Sequence, residues 1–537
     1  MKSHFQAIRS DAETTSVTAP VPPAQRAAPA SATQRGLWVA DSFSGSRNGS
    51  TVTHAYEMRG PLDERNLVAA LQATQDRHDA LRTRFEMRGE QLWQTVADRT
   101  PVDYVRTDLR GSTIRQTLAE VAADQFPEPL DLSVGPVFRA QLLVLTDAQF
   151  LLLLHVHQAV NDARSMAVLE REISDRYAQL PVEEPQTRQF WQLNGQLGDV
   201  DDVARKAATK FWGTELADMA VIDELDGENA DQTYHGAWVS VECTEQYLGA
   251  AEAGAKLAAS PFALLMAAMH LAMSMLHEST DNVVGTAISV RPPDFEDAVG
   301  PFVNTVPIRL RIDPMWTGKD AVAATASALG RVLEHHGVPF EDALPAALAS
   351  RPVIPVTLTS NTALGSGLAL PGLSCRRIEF DSHWCQRDLA VYLNRDDDTY
   401  ILRACRSVAR YSDRATVDLL QRTKRFLGAL AARPDALITE LGWQDPGAAA
   451  EDVAVTAPAV DEPTATLALV RATYADILRV PEADLVDDFF DAGGTSLAAM
   501  RLSARLPLSI REIFRLRSMR ALARAIDDME DGHAGRT

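Results

Sequence analysis

The chain has 537 residues, 46% of them hydrophobic, and a formal net charge of −21. This length predicts three or four compact units, and the charge argues against binding to nucleic acid or an anionic membrane, because both would repel it. Four scattered cysteines without CxxC spacing indicate neither a disulfide framework nor a zinc cluster. With no apolar signal segment and no uninterrupted apolar window, we expect a cytoplasmic protein that does not enter a membrane.

Two segments have the composition of spacers. Residues 10–33 are rich in Ala, Pro, Ser and Thr, so we expect residues 1–29 to form a disordered N-terminal tail. Residues 446–463 have the same character and are predicted to be a linker. This linker would divide a long first part from a short last part, 464–530, whose apolar stripes predict a small bundle of helices.

The stretch LLLLHVHQAVNDARS, at 151–165, is the most informative part of the first unit. Its leucine run shows no period-two alternation and is too short to span a membrane, so it predicts a strand buried on both faces. The run ends in His155, His157, Asn161 and Asp162. These polar side chains are either satisfied histidines at the rim of a core or groups that do chemistry beside it.

The motif DDFFDAGGTSLAAM, at 487–500, is the most specific short pattern of the last part. Its two glycines permit a sharp turn, and Ser496 then begins a predicted helix, where a hydroxyl can carry a phosphodiester at the positive helix end. An ordinary N-cap serine is the alternative. The pattern FFDAGGTSL resembles the attachment site of peptidyl carrier proteins of nonribosomal peptide synthetases, which implies 4′-phosphopantetheine bound covalently to Ser496. Thr495, where that family usually has His or Asp, is a departure that concerns partner preference.

Four segments of the first part resemble the signature motifs of condensation domains from the same synthetases. They occur in family order, with the apolar helix SPFALLMAAMHLAMSMLH between the early and late pairs: SATQRGLWV at 31–39, RHDALRTRFEMRGEQLWQTV at 77–96, GTAISVRP at 285–292 and GPFVNTVPIRL at 300–310. The resemblance implies an α/β fold of two lobes similar to chloramphenicol acetyltransferase, about 30–205 and 206–445, which form a V around a tunnel. A four-helix carrier bundle would follow.

Condensation domains carry His-His-x-x-x-Asp-Gly where this chain has its polar strand end. We align that motif with VHQAVND, 156–162, which makes His157 the second and catalytic histidine, able to orient the acceptor amine or take its proton. The family's Asp, thought to pair with the arginine that corresponds to Arg291, becomes Asn161, and the Gly becomes Asp162. Asn161 can still accept a hydrogen bond from that guanidinium, or Asp162 can supply the negative charge instead. Asn161, Asp162 and Arg291 are therefore expected to support the site, and His155 to be a bystander.

Two classes of function follow from this altered motif, and the retention of His157, Arg291 and the FVNT signature favours the first, an acyltransferase. An active acyltransferase would join a donor acyl thioester to an aminoacyl group on Ser496, or to a free amine or hydroxyl. A carboxylate at Asp162 would weaken His157 as a base, so the alternative is a degenerate platform that recruits a tailoring enzyme or positions the carrier without forming a bond.

The resemblance also implies partners. The chain has no segment long enough for an adenylating domain, so an adenylating enzyme would load the carrier in trans after a phosphopantetheinyl transferase has modified it. An acyl- or peptidyl-carrier protein would be the donor, and a downstream synthetase or releasing enzyme would take the product.

Several further residues are weaker candidates. Ser360 and Asn361 lie where the family has a tunnel-facing strand, which suggests a substrate contact. His335 and His336 lack ligands at metal spacing, so we expect no metal site. A packing role is the better interpretation of the segment 383–385. Seven arginines between 501 and 524 form either a docking face or a solvated helix face.

Overall fold

The structure is a computed structural model, and the residues it describes are 26–43, 50–114, 117–118, 130–181, 188–197, 202–219, 235–344, 353–361, 367–385, 387–396, 398–444, 465–478, 496–503, 505–506, 508, 513, 516 and 518–534. Two large sheets organise the part of the chain before residue 445. Helices cover them, so the fold class is α/β with mixed sheets, as predicted.

The first large sheet has five strands in the spatial order β12-β2-β7-β6-β5. Only β5 and β6 run parallel. A small antiparallel sheet, β1-β4-β3, lies in the same half of the chain. The strands of these two sheets are β1 Ala27–Pro29, β2 Thr51–Arg59, β3 Thr83–Arg88, β4 Gln91–Val96, β5 Asp103–Asp108, β6 Phe138–Thr146, β7 Gln149–His157 and β12 Ser374–Ile378.

The second large sheet has six strands in the order β10-β9-β11-β13-β14-β8. Strand β11 runs parallel to both of its neighbours, and the other pairs are antiparallel. The strands are β8 Gly236–Glu242, β9 Asp281–Ser289, β10 Val303–Arg311, β11 Val356–Ser360, β13 Leu389–Asp396 and β14 Thr399–Ser407.

The α-helices in the described part of the chain are α1 Ala32–Phe43, α2 Glu64–Arg77, α3 Ala163–Tyr177, α4 Phe190–Leu197, α5 Asp202–Glu215, α6 Thr244–Lys256, α7 Pro261–Leu276, α8 Gly318–Leu333, α9 Phe340–Ala343, α10 Asp413–Ala432, α11 Ala465–Leu478, α12 Ser496–Ser503 and α13 Met519–Ala534. Short 3-10 turns cover Asp79–Arg82, Gln158–Val160 and Pro293–Phe295.

Strand β7 is the predicted buried strand. Leu152 and Leu154 pack into the core beneath helices α2 and α3, whereas Leu151 and Leu153 pack on the opposite face of the sheet with Leu143. All four leucines are fully buried. The absence of alternation in the sequence therefore reflects burial on both faces.

The division into two lobes at about residue 205 does not hold for every strand. Strand β12 comes from the second half of the chain but pairs with β2 and so extends the first sheet. Two arginines fix it there: Arg376 pairs with Glu57 at 2.9 Å, and Arg377 pairs with Glu170 of α3. A surface strand with this composition gives no sign in the sequence of which sheet it will join.

The predicted N-terminal tail ends earlier than residue 29. Residues 27–29 form β1, which pairs with β4, and the amide of Ala30 donates to the carbonyl of Leu92 at 2.8 Å. Ala28 and Ala30 are buried, because small side chains let the backbone lie close against the sheet. Residues 1–25 of the predicted tail lie outside the described residues.

Helix α7 is the predicted apolar helix. The Ser260 hydroxyl accepts from the amide of Ala263 at its start, and Pro261 occupies the first turn. Nearly all of its side chains are buried in the core of the second lobe against α10. Within the described residues no single helix could cross a membrane by length and composition, although the bent pair α6 and α7 together would reach that threshold.

Among the described residues of the last part, helices α11, α12 and α13 pack around a separate apolar core of residues such as Tyr474, Leu502 and Leu522. Within the stretch predicted as the third helix, Ile513 and Leu516 are helical, and α13 begins at Met519. Ser518 explains the start, because its hydroxyl accepts from the amide of Ala521 at 3.1 Å and caps the helix.

Histidines buried in these cores are held neutral. His270, on α7, is fully buried and hydrogen-bonded through Nδ1 to Asn282 Oδ1 at 2.5 Å, and burial lowers its pKa to about 4. Burial likewise lowers the pKa of His54 and His155 to about 3 and that of His277 to about 4. At these four histidines the unfolded chain therefore binds more protons than the folded chain below a pH of about 6.5.

We predict that His270 destabilises the protein in acid. Its stabilising contribution is complete above pH 6.5 and is lost as the pH falls toward 4, by roughly 1 kcal/mol between pH 8 and pH 5.5. Urea unfolding of the wild type and of His270→Gln at both pH values measures it. The free energy of unfolding that the substitution removes should be roughly 1 kcal/mol smaller at pH 5.5 than at pH 8. An equal loss at the two pH values would contradict the low pKa of His270.

Candidate functional site

The polar residues at the end of β7 are held by the turn that follows it. His157 is the last residue of the strand, residues 158–160 form a 3-10 turn, and helix α3 then begins. Asp162 caps this helix, because its Oδ1 accepts from the amide of Ser165 at 2.7 Å. His157 and Asp162 therefore lie on opposite sides of this 3-10 turn, one at the end of the strand and the other at the start of the helix.

Both ring nitrogens of His157 are engaged. Nδ1 accepts a hydrogen bond from the amide of Ala159 at 3.0 Å, so the proton of the neutral ring lies on Nε2. Nε2 donates it to Oδ2 of Asp41 at 2.5 Å. The ring is fully buried. Neither nitrogen therefore has a lone pair free to accept a proton from a substrate.

Helix α1 supplies the partner that sequence reasoning missed. Its Asp41 also accepts from the Ser50 hydroxyl, at 2.5 Å through Oδ1, and its Gln34 donates to the carbonyl of Ala159 at 3.0 Å. Asp41 lies two residues beyond the first signature motif and 116 residues before His157. The one signal was an acidic residue within a largely apolar stretch, GLWVADSF.

Asp162, and not Asn161, is the partner of Arg291. The guanidinium donates through Nη2 to both carboxylate oxygens, at 2.9 and 3.2 Å, and through Nη1 to the carbonyls of Phe295 and Ala298. Burial of Arg291 lowers its pKa, and the Asp162 carboxylate opposes that shift. The carboxylate that we expected beside His157 points instead to Arg291, and Asp41 occupies the place beside the imidazole.

Asn161 takes no part in that pair. Its side chain is buried, and its Oδ1 has no hydrogen-bond partner among the described residues. The expectation that Asn161 would replace the family's aspartate is therefore wrong in its geometry. With Asp162 as that aspartate, the alignment of the seven-residue motif moves by one position: His157 takes the place of the first histidine, and Gln158 that of the second.

His155 lies on the face of the first sheet opposite to Val156, as predicted. Its Nδ1 is hydrogen-bonded to the hydroxyl of Thr53, its partner on β2, at 2.9 Å. This pairing within the sheet and its low pKa fit the bystander role expected for it.

The other candidates are distributed over the second lobe. Ser360 ends β11 and is exposed, and Asn361 donates to Oδ1 of Asn394 at 3.1 Å. His335 stacks on Phe211. Cys385 is buried, with its thiol directed at the carbonyl of Arg387. Across the described residues, no group of three or more His, Cys, Asp or Glu side chains is arranged to hold a metal ion.

Ser496 is the first residue of α12, as the sequence predicted. The loop before it, residues 487–495, lies outside the described residues. A helix start presents free amides and the positive end of the helix dipole, which suits a phosphodiester. The bound group would supply a thiol on which acyl groups are held as thioesters, and Ser496 would anchor it.

Family comparisons agree with these two units. Residues 24–448 match the condensation domain family, and residues 468–526 match the phosphopantetheine attachment site family. The chain belongs to the condensation domain family and carries a phosphopantetheine carrier unit. It is thus a piece of nonribosomal peptide synthetase machinery.

Curated relatives are large synthetases. The chain is 29% identical to tyrocidine synthase 2 of Brevibacillus parabrevis over 322 residues, which are 58% of this chain and 9% of that protein. It is 23% identical to gramicidin S synthase 2 of Aneurinibacillus migulanus over 435 residues, which are 77% of this chain and 9% of that protein. The matched region thus spans less than a tenth of the length of these relatives.

Solved structures give the same fold. The X-domain from teicoplanin biosynthesis is 25% identical, with a TM-score of 0.67 over 78% of this chain and 98% of that one. The condensation domain of the Monacolin K polyketide synthase MokA is 20% identical, with a TM-score of 0.66 over 76% of this chain and 98% of that one.

We predict that Asp162→Ala lowers the free energy of unfolding by about 3–5 kcal/mol, because it leaves the buried Arg291 guanidinium without its counter-ion. Asn161→Ala is the matched control and should cost less than about 1 kcal/mol, since no protein hydrogen bond to its Oδ1 is lost. Urea denaturation of both variants measures the difference. The reverse order of effects would support Asn161 as the structural partner.

We predict that Ser496 is the residue modified with 4′-phosphopantetheine. Incubation with coenzyme A and a phosphopantetheinyl transferase should increase the intact mass of the wild type by one phosphopantetheine group. Ser496→Ala should show no increase, whereas Ser503→Ala, at the other end of α12, should behave like the wild type. A mass increase in Ser496→Ala would place the group elsewhere.

Proposed function

We propose that this chain holds an acyl group on Ser496 and presents it to a second enzyme, while its condensation-fold domain binds partners without forming a bond. The observation that carries this proposal is the state of His157. Its two nitrogens are bonded to the Ala159 amide and to Asp41, and its ring is buried.

Amide formation requires a proton acceptor or an orienting lone pair at the acceptor amine. The amine nitrogen attacks the thioester carbonyl, the C–N bond forms, the C–S bond breaks, and the amine loses a proton. His157 can assist only by giving up its bond to Asp41, a charge-assisted hydrogen bond worth roughly 1.5–3 kcal/mol. Turning the ring would also leave Asp41 without one of its donors.

Gln158 gives no replacement. With Asp162 as the motif's aspartate, Gln158 takes the place of the central histidine, and its side chain is partly exposed. A carboxamide does not titrate near neutral pH and cannot serve as a general base. The place where family members need an imidazole therefore holds a group suited to hydrogen bonding.

The resemblance to the X-domain supports the recruiting half of the proposal. That domain has been solved in complex with OxyB from teicoplanin biosynthesis, and this chain is 25% identical to it, with a TM-score of 0.66. By analogy, we propose that a tailoring enzyme binds the condensation-fold domain and acts on the acyl group at Ser496. An adenylating enzyme that loads the carrier and a downstream enzyme that takes the acyl group belong to the same proposal, whereas a donor carrier belongs to the second candidate.

Carrier-dependent acyl transfer is the second candidate. The Asp162–Arg291 pair that supports the motif loop is intact, and the curated relatives are peptide synthetases. Holding two tethered substrates together can also supply much of the rate acceleration without a base.

An acyl-transfer assay distinguishes the two candidate functions. Ser496 of the holo chain is loaded with aminoacyl groups, acyl-carrier donors are added, and intact mass reports any transferred acyl group. We expect no transfer by the wild type or by His157→Ala, because neither offers a free imidazole. Transfer should first appear in Gln158→His. Transfer by the wild type that is lost in His157→Ala would overturn the platform proposal.

A binding experiment tests whether the condensation-fold domain recruits a tailoring enzyme. Teicoplanin OxyB serves as the probe, and saturable binding to the holo chain would support the proposal. The positive control for the acyl-transfer assay is a condensing unit of tyrocidine synthase 2 with its own substrates, which shows that the assay detects product.

A further inference from the structure

Helix α12 and the residues after it are basic in an acidic protein. Between 496 and 526 the sequence has seven arginines and a single acidic residue, Glu512, although the whole chain carries a net charge of −21. The arginines are Arg501, Arg505, Arg511, Arg515, Arg517, Arg520 and Arg524. Such a segment is attracted to exposed acidic groups elsewhere on the chain.

The hairpin of β3 and β4 offers one such group. Gly89, with φ of 61°, makes the tight turn that leaves Glu90 at its tip, where the carboxylate side chain is 70% exposed. The other acidic residue of the hairpin, Glu86, is paired with Arg88 at 2.5 Å. Arg88 in turn lies over the ring of Trp93, 4.9 Å from its centroid.

Two arginines of the α12 region point to different partners. Arg505 pairs with Asp476 of α11, inside the carrier unit. Arg501 pairs with Glu90, its Nη2 lying 2.6 Å from Oε1. This second pair joins the carrier unit to the condensation-fold domain.

We propose that the tip of the β3–β4 hairpin is a docking surface for the chain's own carrier unit, with Glu90 receiving Arg501. This surface goes beyond the proposed function and stands whether or not the domain forms bonds. It gives the carrier a defined resting position on the first lobe, beside the small sheet.

The geometry of α12 places Ser496, the attachment residue, away from the contact between Arg501 and Glu90. Arg501 follows Ser496 by five positions, which is about 140° around the helix and about 7.5 Å along it. A helix that lies against the hairpin through Arg501 therefore directs the Ser496 position elsewhere. The docked carrier remains accessible to an enzyme acting in trans.

The ion pair is weak by itself. An exposed pair contributes about 0–1 kcal/mol, too little to hold two free proteins together or to hold a tethered domain unaided. The carrier belongs to the same chain, and its basic segment is attracted to the acidic domain as a whole. Glu90 therefore selects where the carrier rests, and the contact is quickly released, as an acyl carrier requires.

Relaxation of backbone amide nitrogens in the full holo chain tests the proposal. A docked carrier tumbles with the whole chain, whereas a released unit of its size tumbles faster, so transverse relaxation rates in α13 should fall at least about twofold on release. We expect that fall in Arg501→Glu and in Glu90→Arg. The double variant Glu90→Arg/Arg501→Glu, which restores the pair in reverse, should return to wild-type rates.

Arg505→Glu is the matched control, since it makes the same change of charge in a residue that contacts only the carrier's own Asp476 in the described contacts. It should keep wild-type rates, and a dispersed amide spectrum shows that each variant is folded. Raising the salt from 0.1 to 1 M, which shortens the Debye length from about 10 to 3 Å, should release the wild-type carrier. Fast tumbling of the wild-type carrier at low salt, or no rescue in the double variant, would overturn the proposal.

Discussion

The ion pair between Asp162 and Arg291 joins the two lobes at the motif loop. Asp162 caps helix α3 of the first lobe and also accepts from the amide of Phe302, next to β10 of the second lobe. Arg291 completes the connection with the carbonyls of Phe295 and Ala298, and its guanidinium lies 3.9 Å from the centroid of the Phe302 ring. Because both charges are buried, removing either one leaves the other without a counter-ion.

This junction indicates which residues of the motif the fold requires. A carboxylate at position 162 is needed for the ion pair, so Asp162 is a structural part of the site and not an intrusion into it. The adjacent positions carry no comparable constraint: Asn161 has an unpartnered Oδ1 among the described residues, and Gln158 is partly exposed. The shape of the loop therefore depends on Asp162 and Arg291 more than on these adjacent positions.

Much of this arrangement was predictable from the sequence. The leucine run before His155 predicts a strand buried on both faces, and the FFDAGGTSL pattern predicts a helix beginning at Ser496; the structure has both. The register of the motif was not predictable, because two adjacent polar residues, Asn161 and Asp162, fit the spacing almost equally. Only the position of Arg291 in space decides between them.

Asp41 could not be predicted for a different reason. It reaches His157 across 116 residues of sequence, and the contact depends on how α1 crosses the end of β7. That crossing is fixed by Gln34, which holds the Ala159 carbonyl of the same turn. A single helix thus controls both the backbone of the turn and the proton on the imidazole. Since Asp41 fixes that proton on Nε2, the imidazole acts here as a donor in the framework, and the chemistry open to this domain is set by α1 as much as by the motif itself.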